Sequence, residues 1–366
     1  MTQPTEAALP AFLIAYSDSS FTNPHDVVRP DEPKDRRGDF THMGAKYWGL
    51  ETARHRATEV LAAEQALVYD HNAHHWFQVG LQRRALVERI TLSTRWYTGN
   101  QVRAVSVRLT DRLSGAGVEV LTREPLAPDR EHEFVITATP ATECEVFCFS
   151  EGGIARINLF GSITAQQPAH WANLLENARI SHISNAHFGT PAAAVRGRRT
   201  QQHMVGWESA RTGFGERALF HLRKPARVAE IIVDTYLHRL NAPLTCHVYG
   251  AAVTDEEQIP ALMTAAPRWK LVFDCGHEVV PEDFQIYMLA QDYLREPVSE
   301  CERFQIKLHL EKGSLWQSLL PFAPLRPDTF HRFDQLRVND AVTHILYMHY
   351  PNGGIHGLQV GGVEQD

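Results

Sequence analysis

Residues 47–56 read YWGLETARHR and residues 205–213 read VGWESARTG. Each runs Gly, a bulky apolar residue, Glu, a hydroxyl residue, Ala, Arg, so Glu208 matches Glu51 and Arg211 matches Arg54. Internal repetition decides architecture before local propensity does. Four more pairs follow in the same order. YSDSSFTNP (16–24) parallels ISNAHFGTP (183–191), and RITLSTRWYTGN (89–100) parallels EIIVDTYLHRLN (230–241). VLTREPLAP (120–128) parallels LLPFAPLRP (319–327), and FSEGGIARINLFG (149–161) parallels YPNGGIHGLQVGG (350–362). The order implies a duplication, about 10–163 and about 177–363. The domains expected are 1–165 and 177–366, joined by a linker, 166–176, with a short helix.

The copies differ in length. Asn241 to Leu320 is about 58 residues longer than Asn100 to Leu121, which places an insertion at about 251–313 of the second copy. Its segments TDEEQIPALMTAAPRW and PEDFQIYMLAQDYL space apolar residues helically. Elsewhere the signal is strand. ERITLSTRWY, RAVSVRL, HEFVITATP and CEVFCFS in the first copy are short alternating or continuous apolar runs bounded by Gly, Pro, Asn and Asp. ARVAEIIVDTYL, LTCHVYG and THILYMHY in the second, and RFQIKLHL at the end of its insertion, read the same way. Many short strands at regular spacing predict an all-β fold of two tandem β-sandwiches with a helical insertion in the second.

The 366 residues are 43% hydrophobic and 22% charged, with a net charge of −7. There is no basic field for nucleic acid or anionic lipid and no apolar run long enough for a membrane helix. The N-terminus has no basic region, so no secretory leader is expected. Five cysteines match no zinc or disulfide framework and read as reduced core residues of a cytoplasmic protein. DHNAHHW (70–76) gathers Asp70, His71, His74 and His75, but adjacent strand residues face opposite ways. A solvated loop is the reading taken, and no metal ligands are assigned. The cofactor question stays open between none and a divalent metal.

The doubled order of the GWET-x-R, D-T-x-x-x-x-GN, LLPR and YPDGG phrases resembles the allantoicase family over nearly the whole chain. The resemblance implies two jelly-roll modules of the galactose-binding type in a cytoplasmic homo-oligomer, and an amidine hydrolase that cleaves allantoate to ureidoglycolate and urea, or a related ureido or guanidino acid. The other class held open is a non-catalytic jelly roll that binds a small ligand or carbohydrate. Departures from the family phrases are Leu50, Asn185, Leu240, Phe322, Leu346 and the loss of an arginine at His356–Gly357.

A ureido acid needs cations for its carboxylate, acceptors for its N–H groups and a proton-transfer group at the breaking C–N bond. Glu51 and Glu208, with His187 and His344, are the catalytic candidates. Arg54, Arg211, Arg123, Arg156, Asn100, Asn241 and Trp207 are the substrate-binding candidates. A local ion pair three residues apart is the competing reading of each Glu–Arg pair.

Overall fold

The alternating runs form strands, and three of these strands are long enough to build both layers of a sandwich. The computed structural model describes residues 7–365 except Ser20, 55–57, His71, Ser150, Gln202, 212–214, 281–303 and 338–339. Met1–His170 and Trp171–Asp366 form two compact units.

The first unit contains β1 (Ala11–Tyr16), a small pair β2 (Phe40–Thr41) and β3 (Gly44–Ala45), β4 (Leu50–Glu51), a hairpin of β5 (Thr58–Leu61) and β6 (Ala66–Tyr69), β7 (His74–Ser93), β8 (Ala104–Asp111), β9 (Ala116–Pro125), β10 (Glu131–Phe149), β11 (Gly153–Ile154) and β12 (Arg156–Ile163). One layer runs β1-β7-β10-β8-β9. Past residue 84, β7 turns into the second layer, where it pairs with β12 and with the first half of β10. Register shifts in β10 between Val135 and Thr139, and between Ala141 and Glu143, mark the same corner. Bulges are the device by which a strand changes sheet. The inward positions Phe77, Val79, Val87, Ile90 and Leu92 of β7 meet Val105, Val107, Val146 and Leu159 in one core. Each buries an apolar side chain worth roughly 1.5–3 kcal/mol.

The second unit contains β13 (Arg179–Ile183), β14 (Phe188–Gly189), helix α1 (Pro191–Arg196), β15 (Trp207–Glu208), β16 (Glu216–Asp234), β17 (Thr245–Ala251), helix α2 (Ile259–Thr264), β18 (Arg268–Phe273), β19 (Glu278–Val279), β20 (Phe304–His309), β21 (Gln317–Pro324), β22 (Phe330–Phe333), β23 (Val342–Tyr350), β24 (Gly354–Ile355) and β25 (Gly357–Glu364). Its sheet, β13-β16-β23-β17-β21 with β22 and β25 on β16, repeats the first. β16 stands for β7, while β22 and β23 together stand for the unbroken β10. Each unit is a jelly-roll β-sandwich made almost wholly of antiparallel strands.

Three details differ from expectation. Of the two helical segments read in the insertion, the first yields α2, six residues long. The last two residues of that segment, Arg268 and Trp269, open the strand RWKLVF, the centre of a three-stranded sheet, β19-β18-β20. Residues 281–294, the second helical reading, lie outside the described residues. The segment read as a linker holds no helix. Asn173 Oδ1 accepts from Leu175 and Val360 N–H groups, which sets a turn. Leu174 and Leu175 are buried in the second core. Cys144, Cys148 and Cys246 are free and buried. Cys275 is disulfide-bonded, which corrects the reading of every cysteine as a reduced core residue. It sits on the exposed turn between Phe273 and His277, away from any core that packs a thiol.

Candidate functional site

The repeated motifs are adjacent in space because the backbone pins them to one another. β4 pairs with β11, so Glu51 lies opposite Gly153. Gly153 N–H donates to Asn100 O at 2.8 Å and Val102 N–H to Gly153 O at 3.1 Å. Thr52 Oγ1 accepts from Gly152 N–H at 3.0 Å. This pinch leaves no room for side chains. A Cβ on Gly153 would lie 2.1 Å from the Tyr97 ring, and Gly152, at φ +146°, faces the Asn100–Gln101 backbone. The GLET, TGN and GG phrases are therefore three parts of one construction.

Glu51 is only 4% exposed. Asn100 Nδ2 donates to its Oε1 at 2.9 Å, and its Oε2 has no partner among the described residues. Burial pushes its carboxyl up to about 7, against the Asn100 bond and the charge of Arg54, which favour the ionised form. The carboxylate lines a cleft of about 730 Å³ together with Arg54, Asn100, Gln101, Arg103 and Arg123. Strand β9 carries a bulge where Arg123 opposes Ser106. Arg123 has φ +48°, a conformation costly for a residue with a Cβ. Its guanidinium lies 4.1 Å from the Phe149 ring centroid and donates to Asn72 Oδ1 at 3.1 Å. Among the described residues, Arg54, Arg103 and Arg123 form no salt bridge of their own.

Four of the candidates from sequence, Glu51, Arg54, Asn100 and Arg123, thus share this cleft. Arg156 does not. It is 3% exposed and donates to the carbonyls of Asp31, Trp48 and Ala155. Its guanidinium fastens the backbone around Trp48, and the structure does not bring it into the cleft with the other substrate-ligand candidates.

The second unit repeats the pinch. β15 pairs with β24, Gly354 N–H donates to Asn241 O at 2.8 Å, and Ser209 Oγ accepts from Gly353 N–H. Its side chains are arranged differently. Asn241 Oδ1 faces His238 Nδ1 at 3.3 Å, and no hydrogen bond joins the Asn241 and Glu208 side chains. His238 occupies the place of Tyr97, packing on Gly354 as Tyr97 packs on Gly153. Burial holds its pKa down, while Asn241 and Glu208 act the other way.

His187 is exposed beside Glu208, donating its N–H to Glu208 O at 3.0 Å. Arg211 is also exposed, and its carbonyl accepts from Asn352. Trp207 is fully buried in the core, its Nε1 donating to Asn185 O, so the structure does not bring it to an open cleft with the other substrate-ligand candidates. His344 is 1% exposed, stacks on His221 at 4.3 Å and is held at about 4 by burial and then by His221. It lies six residues along β23 from Tyr350, roughly 20 Å from the pinch. That separates it from Glu208, a correction to its reading as a proton donor.

Sequence reasoning passed over Gln101, Arg103 and the hairpin residues Thr58 and Tyr69, all of which line the cleft. The signal for the first two was alternation after the TGN phrase, around the buried Val102. Among the described residues no group of three or more His, Cys, Asp or Glu side chains is placed to hold a metal. Nor is any helix long and apolar enough to cross a membrane.

Two tandem jelly rolls, one with a cleft lined by a buried carboxylate, amides and three arginines that form no salt bridge among the described residues, define the class of this repeat protein. A family model described as Allantoicase repeat matches residues 5–164 and 170–299. The chain belongs to the allantoicase family. A probable allantoicase from Pseudomonas paraeruginosa is 24% identical over 98% of this chain and 95% of its own length. One from Nocardia farcinica is 23% identical over 96% and 90%. The crystal structure of allantoicase from Saccharomyces cerevisiae covers 97% of this chain and 91% of its own at 20% identity and a TM-score of 0.33.

Proposed function

We propose that the protein is a hydrolase that cleaves allantoate to ureidoglycolate and urea, and that the cleft of the first unit is where it does so. The observation that carries this reading is Glu51, a buried carboxylate with one oxygen held by Asn100 and the other without a partner among the described residues, in a cleft with three arginines that form no salt bridge there. The arginines offer planar donors to the substrate carboxylate. Glu51, with a pKa of about 7, exists in both protonation states at neutral pH. As base it takes a proton from the water whose oxygen displaces one ureido nitrogen at the saturated central carbon, the C–O bond forming as that C–N bond breaks. As acid it returns that proton to the nitrogen of the departing urea. A small ureido acid is the substrate this reading requires, and a cytoplasmic homo-oligomer goes with the family resemblance.

The test is urea release from allantoate by the wild type and by Glu51→Gln. General acid–base catalysis contributes roughly 10²–10⁴-fold, and a loss in that range is expected. Equal rates in the two proteins would remove Glu51 from the mechanism. No urea from the wild type would remove the reaction.

A further inference from the structure

We propose that Gln101 and Arg103 determine specificity in the cleft, Gln101 by reading the ureido N–H groups and Arg103 the carboxylate. The inference rests on the cleft being a ureido-acid site and adds the residues that select the substrate. It comes from the geometry of one short segment. Val102 is fully buried in the core, and its N–H is bonded to Gly153 O. Side chains alternate along extended backbone. Gln101 and Arg103 therefore share the face opposite Val102, and both line the cleft.

Gln101 Oε1 is buried with no hydrogen-bond partner among the described residues, and so is Glu51 Oε2. Both are acceptors when Glu51 is ionised. Two unsatisfied acceptors in one cleft call for a ligand rich in N–H donors, since a buried acceptor left unmade is destabilising. A ureido group supplies such donors. Arg103 is exposed and forms no salt bridge among the described residues, so its charge is available to a carboxylate.

The second unit provides an internal comparison. By strand register Ala104 corresponds to Thr245, and Arg123 to Phe322. Gln101 then corresponds to Ala242 and Arg103 to Leu244. The second unit keeps the pinch and its Glu but has neither reading group. Leu240, Leu244 and Phe322 stand exposed there instead. The amide and cations of the first cleft are thus not demanded by the fold, because the same fold stands without them.

Binding is measured by calorimetry with N-carbamoylglycine, which has one ureido arm and a carboxylate. Its controls are N-acetylglycine, which replaces the terminal NH₂ by a methyl group, and N-carbamoylglycinamide, which lacks the charge. The proteins are the wild type, Gln101→Ala, Gln101→Leu and Arg103→Leu, each first shown to unfold at the wild-type temperature.

The wild type is expected to prefer N-carbamoylglycine to both controls by about tenfold or more. Each Gln101 variant should lose the preference over N-acetylglycine and keep that over the amide. Arg103→Leu should do the reverse. With allantoate, all three variants should raise KM by about tenfold with kcat within a few-fold. Unchanged preferences in the variants would overturn the proposal. So would an effect of either residue on both preferences alike, which would mark a structural role. If the wild type binds these ligands without releasing urea from allantoate, the hydrolytic reading fails while the specificity assignment still stands or falls on the preferences.

Discussion

At the scale of single residues, Glu51 carries the most distinctive chemistry. Its folded pKa, about 7, is above the roughly 4.3 of an exposed glutamate. A raised carboxyl pKa means the native state holds the proton more tightly than the unfolded chain. Its contribution to stability is fully present below about pH 4 and is lost as pH rises through 7. Catalysis by the ionised form runs the opposite way. The kcat/KM for allantoate is therefore expected to rise with a midpoint near pH 7 while this part of the stability falls. Glu51→Gln should flatten both limbs, measured by initial rates and by denaturant titration across pH 5–8.

At the scale of elements, the glycines of the pinch set the geometry. Gly153→Ala drives a methyl group into the Tyr97 ring, where a Cβ would lie at 2.1 Å. Overpacking of this kind costs about 1–3 kcal/mol. The thermal midpoint should drop by several degrees, with urea release falling further than the loss of folded protein explains, because β4 and the Asn100 loop meet at that glycine. The pinch also shows what the sequence disclosed and what it withheld. The phrases around Glu51, Asn100 and Gly153 stood out because a backbone construction constrains several neighbours at once. Gln101 and Arg103 had no such context, since their side chains leave the pinch for the cleft. Trp207, His344 and Arg156 read as site residues because a motif gives residue type but not the side on which it is buried. The first helical reading of the insertion runs on into Arg268 and Trp269 of β18, a short apolar run whose helix or strand fate depends on what it packs against.

At the scale of the whole molecule, the duplication was legible and its asymmetry only partly so. The long insertion of the second copy showed in the spacing, but the hairpin β5–β6 of the first did not, although it gives the cleft Thr58 and Tyr69. Each unit encloses its own core, as independently folding domains of this size do. Residues 1–170 expressed alone are expected to show a single cooperative thermal transition and to bind N-carbamoylglycine. A chain without cooperative unfolding would show that its core needs the rest of the protein. The two units also differ in how their layers are joined. In the first, β7 and β10 both pass from one layer to the other as unbroken strands, whereas in the second the counterpart of β10 is divided into β22 and β23. Two continuous strands act as struts between the faces of a sandwich and resist shear that a single strut permits. The copy with the charged cleft is thus expected to be the stiffer one, and a site that must hold its groups to fractions of an ångström would gain from being built on it.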